Sequence, residues 1–129
     1  EINDAIQKIK PLIENKKFSY YQMKEAFLWI KDNTPEESVI FGQWIEPYSI
    51  YYGHRKIEQF PENLDNLGDF SPQADYLVVN IIHQQDPRIS KYINENLSSR
   101  LSEPINVYFF DTERQNPAVV IYKINDDNS

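Results

Sequence analysis

One stretch of this chain gathers the side chains that recognition chemistry uses: Trp44-Ile45-Glu46-Pro47-Tyr48-Ser49-Ile50-Tyr51-Tyr52-Gly53-His54-Arg55. Aromatic faces stack on sugar rings or apolar chains, and a guanidinium offers a planar fork for phosphate or carboxylate. The stretch directly follows the apolar run Val39-Ile40-Phe41. In α/β proteins the carboxyl end of such a strand is where ligands usually sit. Trp44, Glu46, Tyr48, Tyr51, Tyr52, His54 and Arg55 therefore form the candidate binding surface, facing an acceptor or a membrane. The plainer reading of the same residues packs Tyr48, Tyr51 and Tyr52 against a sheet and pairs Arg55 with an acid.

Elsewhere the residues that make catalysts are missing or scattered. Phosphate-cradling loops need clustered glycines so that backbone N–H groups can approach the anion. The three glycines, Gly42, Gly53 and Gly68, stand apart. No Gly-x-Ser-x-Gly elbow occurs, and with no cysteine there is no thiolate nucleophile, disulfide or cysteine zinc site. His54 and His83 match no metal-ligand spacing. Glu62, Asp65 and Asp69 share one loop, but their spacing is not that of a calcium-binding loop. Asn96-Leu97-Ser98 is a formal N-glycosylation acceptor of a kind common by chance. No catalytic residue, metal or cofactor is expected of the chain itself.

At 129 residues, 40% of them hydrophobic, the chain suits one domain with one ordinary core. A mean hydropathy of −0.64, and no run near the roughly 18 apolar residues of a spanning helix, exclude a membrane-buried protein. The net charge of −7 argues against nucleic acid, which is bound mainly through Lys and Arg. Residues 1–31 nevertheless hold six Lys against four acids, leaving the acidity to the remainder. A basic start of this kind favours anionic headgroups near the N-terminus. A chain that opens on Glu1, without Met or leader, is expected to be a piece of a longer protein.

These residues need elements to position them. Ile2, Ile6, Ile9 and Ile13 recur at helical spacing, interrupted by Pro11, and predict an N-terminal helix over residues 1–18. Ser19 as N-cap, Gln22 as its capping-box partner and a Phe18–Met23 staple start a second helix. Its stripe is Met23, Ala26, Phe27 and Ile30, and Thr34-Pro35 stops it. A strand at Val39–Phe41 is followed by a short helix from Pro47 that Gly53 ends. Lys56 to Phe60 reads as a strand, and Pro61 to Pro72 as turns with one helical turn near Leu64. Tyr76 to Ile82 is the strongest strand, apolar on both faces as in a sheet covered on both sides. Asp86-Pro87 opens a helix whose buried face is Ile89, Ile93, Leu97 and Leu101. Asn106 to Phe110 and Ala118 to Ile124 are joined by a short polar loop and should pair antiparallel. The expected fold is a single small layered α/β domain over residues 1–129. It has a largely parallel central sheet, flanking helices and an antiparallel C-terminal strand pair.

The same segments carry a family likeness. Ala26-Phe27-Leu28-Trp29-Ile30-Lys31-Asp32-Asn33-Thr34-Pro35 followed by Ser38-Val39-Ile40-Phe41 resembles the start of soluble tails on polytopic glycosyltransferases. These are the dolichyl-phosphate-mannose/aminoarabinose transferase-like enzymes of the GT-C superfamily, similar to glycosyltransferase family 39. Tyr51-Tyr52-Gly53-His54-Arg55 looks like a segment of those tails, Asp75 to Val79 like their central strand and Val120 to Ile124 like their closing one. The likeness spans roughly residues 20 to 124.

The resemblance implies a non-catalytic extracytoplasmic accessory domain, anchored through transmembrane helices that precede Glu1 and partnered by that transmembrane portion of the same polypeptide. The parent would be a mannosyltransferase-like enzyme that transfers sugar from a polyprenyl-phosphate donor to an acceptor, as in protein glycosylation. Residues 1–18 would then be membrane-proximal. The catalytic acid of the family lies in a membrane loop outside this chain, so no catalytic residue carries over. The acceptor-binding motif of related oligosaccharyltransferases does not carry over either, because the corresponding stretch here reads Gln43-Trp44-Ile45-Glu46-Pro47. The rival readings are a stand-alone extracytoplasmic module for a protein or carbohydrate partner, and a small hydrolase.

Overall fold

A computed structural model describes residues 20–81 and 86–126. Helix α1 (Tyr20–Asn33) buries Tyr20, Met23, Ala26, Phe27 and Ile30, positions three and four apart that fall on one helical face. Its end is set by chemistry as well as by Pro35. Thr34 donates its N–H (3.1 Å) and its hydroxyl (2.6 Å) to the Ile30 carbonyl, and the Asn33 amide donates to Trp29 at 2.9 Å. These donors satisfy carbonyls that the last turn leaves open. The expected 1–18 helix, the Ser19 cap and the Phe18 half of the staple lie outside the described residues. Gln22 directs its side-chain N–H to the Phe109 carbonyl, 3.4 Å away.

Five strands form one sheet in the order β2-β1-β3-β5-β4. Strands β1 (Val39–Phe41), β2 (Lys56–Glu58) and β3 (Tyr76–Asn80) run parallel. Strand β5 (Pro117–Lys123) lies antiparallel to β3, with Tyr76 opposite Lys123 and Asn80 opposite Val119. The outer β4 (Asn106–Phe109) pairs antiparallel with β5, as the short loop between them requires. Asp75 fastens the start of β3 on both sides. Its carboxylate and N–H bond the Val39 backbone at 2.8 Å each, and its carbonyl accepts from Ile124 at 2.9 Å.

Alternation along the strands divides the core in two. Ile40, Val78 and Ile121 face α1 together with Met23, Ala26, Phe27 and Ile30. Phe41 and Leu77 face the opposite layer with Leu67, Ala74, Ile89, Tyr92 and Leu97. The run through β3 is apolar on both faces because each face is covered. The opposite layer is built by a 3₁₀ stretch (Leu64–Asp69) and by helix α3 (Pro87–Tyr92) with its wider and tighter continuations to Arg100. Asp86 caps α3 by accepting from Arg88 N–H at 2.9 Å, with Pro87 in the first turn.

Several element boundaries differ from expectation; β4 ends at Phe109 rather than Phe110, and β5 is shifted by one residue to Pro117–Lys123. Strand β2 ends at Glu58 rather than Phe60, whose ring turns inward to lie 4.3 Å from Phe41. Glu58 in turn binds the N–H groups of Gln73 and Ala74 at 2.8 and 2.7 Å, tying β2 to the loop before β3. Leu101 is not part of the α3 face. The helix tightens over Ser98–Arg100, Leu101 turns extended and it bridges Ile124. Strand β3 ends at Asn80, and Ile82 lies outside the described residues.

Candidate functional site

Helix α2 (Glu46–Tyr48, continuing as a wide turn over Ser49–Gly53) carries the candidate surface and follows β1. Two close approaches seat it. A Cβ on Gly42 would lie 2.6 Å from the Val78 carbonyl oxygen, so only glycine lets β1 leave beside β3 at that distance. A Cβ on Gly53 would lie 2.7 Å from Cδ1 of Phe27. The helix ends at Gly53 as expected, though not through a left-handed backbone at the glycine itself. His54 takes that conformation at φ 50°, and Trp44, at the other end, does so at φ 63°.

The structure sorts the seven candidate residues into two groups. Tyr48, Tyr52 and Arg55 turn inward. Tyr48 is buried with its ring 6.1 Å from that of Tyr20, and burial pushes its phenol well above the ordinary tyrosine range. The Tyr52 hydroxyl lies 2.7 Å from the Tyr20 hydroxyl, with Lys24 Nζ 5.4 Å from the Tyr52 ring centre. Burial, and then that hydrogen bond, push the Tyr20 phenol up to about 12.

Arg55 is the clearest correction. It is buried, and its whole fork is used internally. Nε donates to Thr34 Oγ1 (3.2 Å), Nη1 to the carbonyls of Gly53 (3.3 Å) and His54 (3.1 Å), and Nη2 to those of Lys31 (3.1 Å) and Thr34 (2.9 Å). A guanidinium has five N–H groups, and these contacts engage all of them. Its partners are the Thr34 hydroxyl and carbonyls at the ends of α1 and α2, where helix dipoles favour a cation, and not an acid. Arg55 ties α1 to α2 and has no donor left for a phosphate. Beside it Ser49 is fully buried and donates to the Arg55 carbonyl at 2.7 Å.

Trp44, Glu46, Tyr51 and His54 face outward. Ile50, missed in the sequence reading, joins them: Trp44 is 62% exposed, Ile50 55% and Tyr51 69%. Inside lie Ile45, Tyr48, Ser49 and Gly53, so α2 is apolar on its outer as well as its inner side. Trp44 precedes α2, and Ile50 and Tyr51 are adjacent on it, so no helical spacing in the sequence marks this outer group. Next to it, Glu46, Ile50, His54, Arg55, Lys56, Ile57 and Gln59 line an open hollow of about 580 Å³ between α2 and β2, across which Gln59 donates weakly to Glu46 at 3.4 Å.

This arrangement presents an exposed aromatic and aliphatic surface. Among the described residues no three His, Cys, Asp or Glu side chains come together to hold a metal ion. The loop acids Glu62, Asp65 and Asp69 are not drawn into one site, since Asp65 pairs with Arg88 at 2.7 Å. His83 lies outside the described residues. Among those described, no helix is long and apolar enough to cross a membrane. No protein-family model, curated protein or solved structure matches the chain.

Proposed function

We propose that this chain is a non-catalytic extracytoplasmic accessory domain of an integral-membrane glycosyltransferase that uses a polyprenyl-phosphate sugar donor. The observation that carries the docking part of this reading is the outer side of α2. A surface helix ordinarily turns one apolar stripe to the core and polar residues to water, whereas here Ile50 and Tyr51 on α2, and Trp44 just before it, are presented outward. A site of that composition binds a partner and does not activate a bond. The glycosyltransferase part is supported by the likeness of residues 26–35, 38–41, 51–55, 75–79 and 120–124 to the tails of such enzymes. In this role the domain covers or orients an active site held in the membrane portion.

The test is the native gene upstream of the Glu1 codon. Several hydrophobic segments of about 20 residues each, with an acidic residue in an early loop, are the expected result. A lone secretion signal there would replace this reading with a stand-alone binding module. In the full-length enzyme, Trp44→Ala is expected to lower sugar transfer while the domain stays folded.

A further inference from the structure

We infer that the crevice where β3 outruns β1 is a binding site for a single uncharged hydroxyl group, held by the side chain of Gln43. It is independent of the glycosyltransferase reading and lies apart from the outer side of α2.

Topology makes the crevice. Phe41 opposite Leu77 is the last pair between β1 and β3, yet β3 continues beside β5 as far as Asn80, opposite Val119. The chain leaving β1 passes to the α1 side of the sheet, where Ile45 and Tyr48 are buried. The chain leaving β3 passes to the other side, where Ile89 and Tyr92 are buried. Open α/β sheets bind ligands where two connections diverge in this way, outside the carboxyl ends of the strands. Position alone does not make a site, so the groups present there decide.

A hollow of about 20 Å³ lies at this point, with Gly42, Gln43 and the buried Asn80 in its wall beside Phe60, Ile89 and Ile93. That volume takes one water-sized group. The Gln43 side-chain oxygen is buried and has no hydrogen-bond donor among the described residues. Burial of an acceptor in that condition costs free energy, which a donor relieves. A carboxamide can turn over and present its NH2 in the same place, so its best complement both donates and accepts, as a hydroxyl does. Among the described residues no charged side chain lines the hollow, and an ion without such a partner is costly to bury. Trp44, next to Gln43, keeps a left-handed backbone at φ 63°. Strained residues of this kind gather at ligand sites.

A long-lived water and a small polyol can both supply the hydroxyl, and NMR of the whole 129-residue chain distinguishes them. None of the residues lining the hollow has a hydroxyl of its own. Water-selected cross-peaks at the Gly42, Gln43 and Asn80 amides, with the sign of a water tumbling with the protein, would identify water. Glycerol that shifts these amides saturably would identify a ligand hydroxyl, whereas sodium acetate and ammonium chloride should give no saturable shift. Gln43→Met keeps the side-chain length and removes the amide. In it the water peaks should be lost, or glycerol affinity should fall roughly tenfold. Gln43→Leu is the second variant should Gln43→Met not fold. A folded wild-type chain with neither water peaks nor a saturable glycerol response overturns the site. So does a response that persists unchanged without the Gln43 amide, or one that acetate reproduces. The upstream gene, which decides the glycosyltransferase reading, bears on none of these outcomes.

Discussion

Gly53 and Phe27 are packed so closely that a single added methyl at Gly53 would sit 2.7 Å from Cδ1 of the Phe27 ring. Phe27 is fully buried among Met23, Ile30 and the sheet, so its ring cannot swing away without repacking that layer. The φ of Gly53 is not in the left-handed region, and the requirement is therefore one of space and not of backbone freedom. Gly53→Ala is expected to cost about 1–3 kcal/mol by overpacking. Urea unfolding measures it, and Phe27→Leu in the same chain should recover part of the loss, giving a coupling that independent sites would lack.

Arg55 makes a second prediction with a different signature. Removing its side chain leaves the carbonyls of Lys31, Thr34, Gly53 and His54 without this donor. Arg55→Ala should destabilise the fold by about 2–4 kcal/mol, because buried acceptors lose their partners. Arg55→Lys should recover little, since an ammonium cannot span the same set of carbonyls as a planar fork. Equilibrium unfolding of both variants checks this. A fully stable Arg55→Ala protein would mean that the tie between α1 and α2 is incidental.

A third prediction concerns acid. The Arg88 side chain, and then its N–H, hydrogen-bond Asp86 and hold its carboxyl down at about 2. The unfolded value is about 3.9. A carboxyl depressed in the folded state stabilises it above the unfolded value, and that contribution is lost as pH falls from about 4 through about 2. Carbon-detected titration of the Asp86 carboxyl should give a midpoint near the lower figure. In Asp86→Asn, the pH dependence of stability in that window should be flatter.

At the alkaline end the sign reverses. Burial and the Tyr52 hydroxyl keep the Tyr20 phenol neutral to about 12. A group whose folded value is raised stabilises the fold below its unfolded value of about 10, and the contribution disappears as pH rises through the folded one. Phenolate absorbance should therefore show Tyr20 still protonated at pH 11, ionising together with unfolding. Tyr52→Phe should lower the Tyr20 value by removing one of its causes.

How much of this was legible in the sequence differs by residue. Met23, Ala26, Phe27 and Ile30 fall on one helical face with polar neighbours between, which leaves their phase unambiguous, and all four are fully buried. Asp86-Pro87 announces a helix start through local backbone chemistry alone, and the cap is present. Residues 44–55 gave no such phase. With aromatic or aliphatic residues on every side of α2, periodicity does not say which ones point inward. Tyr48, Tyr52 and Arg55 were therefore grouped with Trp44, Glu46, Tyr51 and His54, from which the fold separates them. Arg55 is buried by carbonyls at the end of α1, a tertiary arrangement with no signature near position 55. Phe60 and Leu101 show the same limit at element ends, where a stacked ring or a single bridge outweighs local propensity.

The placement of β3 has a consequence for how the molecule is made. Its partners come from opposite sides in sequence: β1 precedes it, and β5 arrives roughly forty residues downstream, a long loop to close. Until Pro117–Lys123 has left the ribosome, β3 has an apolar strand edge with nothing to pair. The antiparallel half of the sheet does not yet exist at that stage. Folding is therefore expected to be a late event in synthesis, set by non-local pairing and slower than a helical protein of this length. A chain truncated before β5 would be a target for proteases or aggregation, not a smaller working domain.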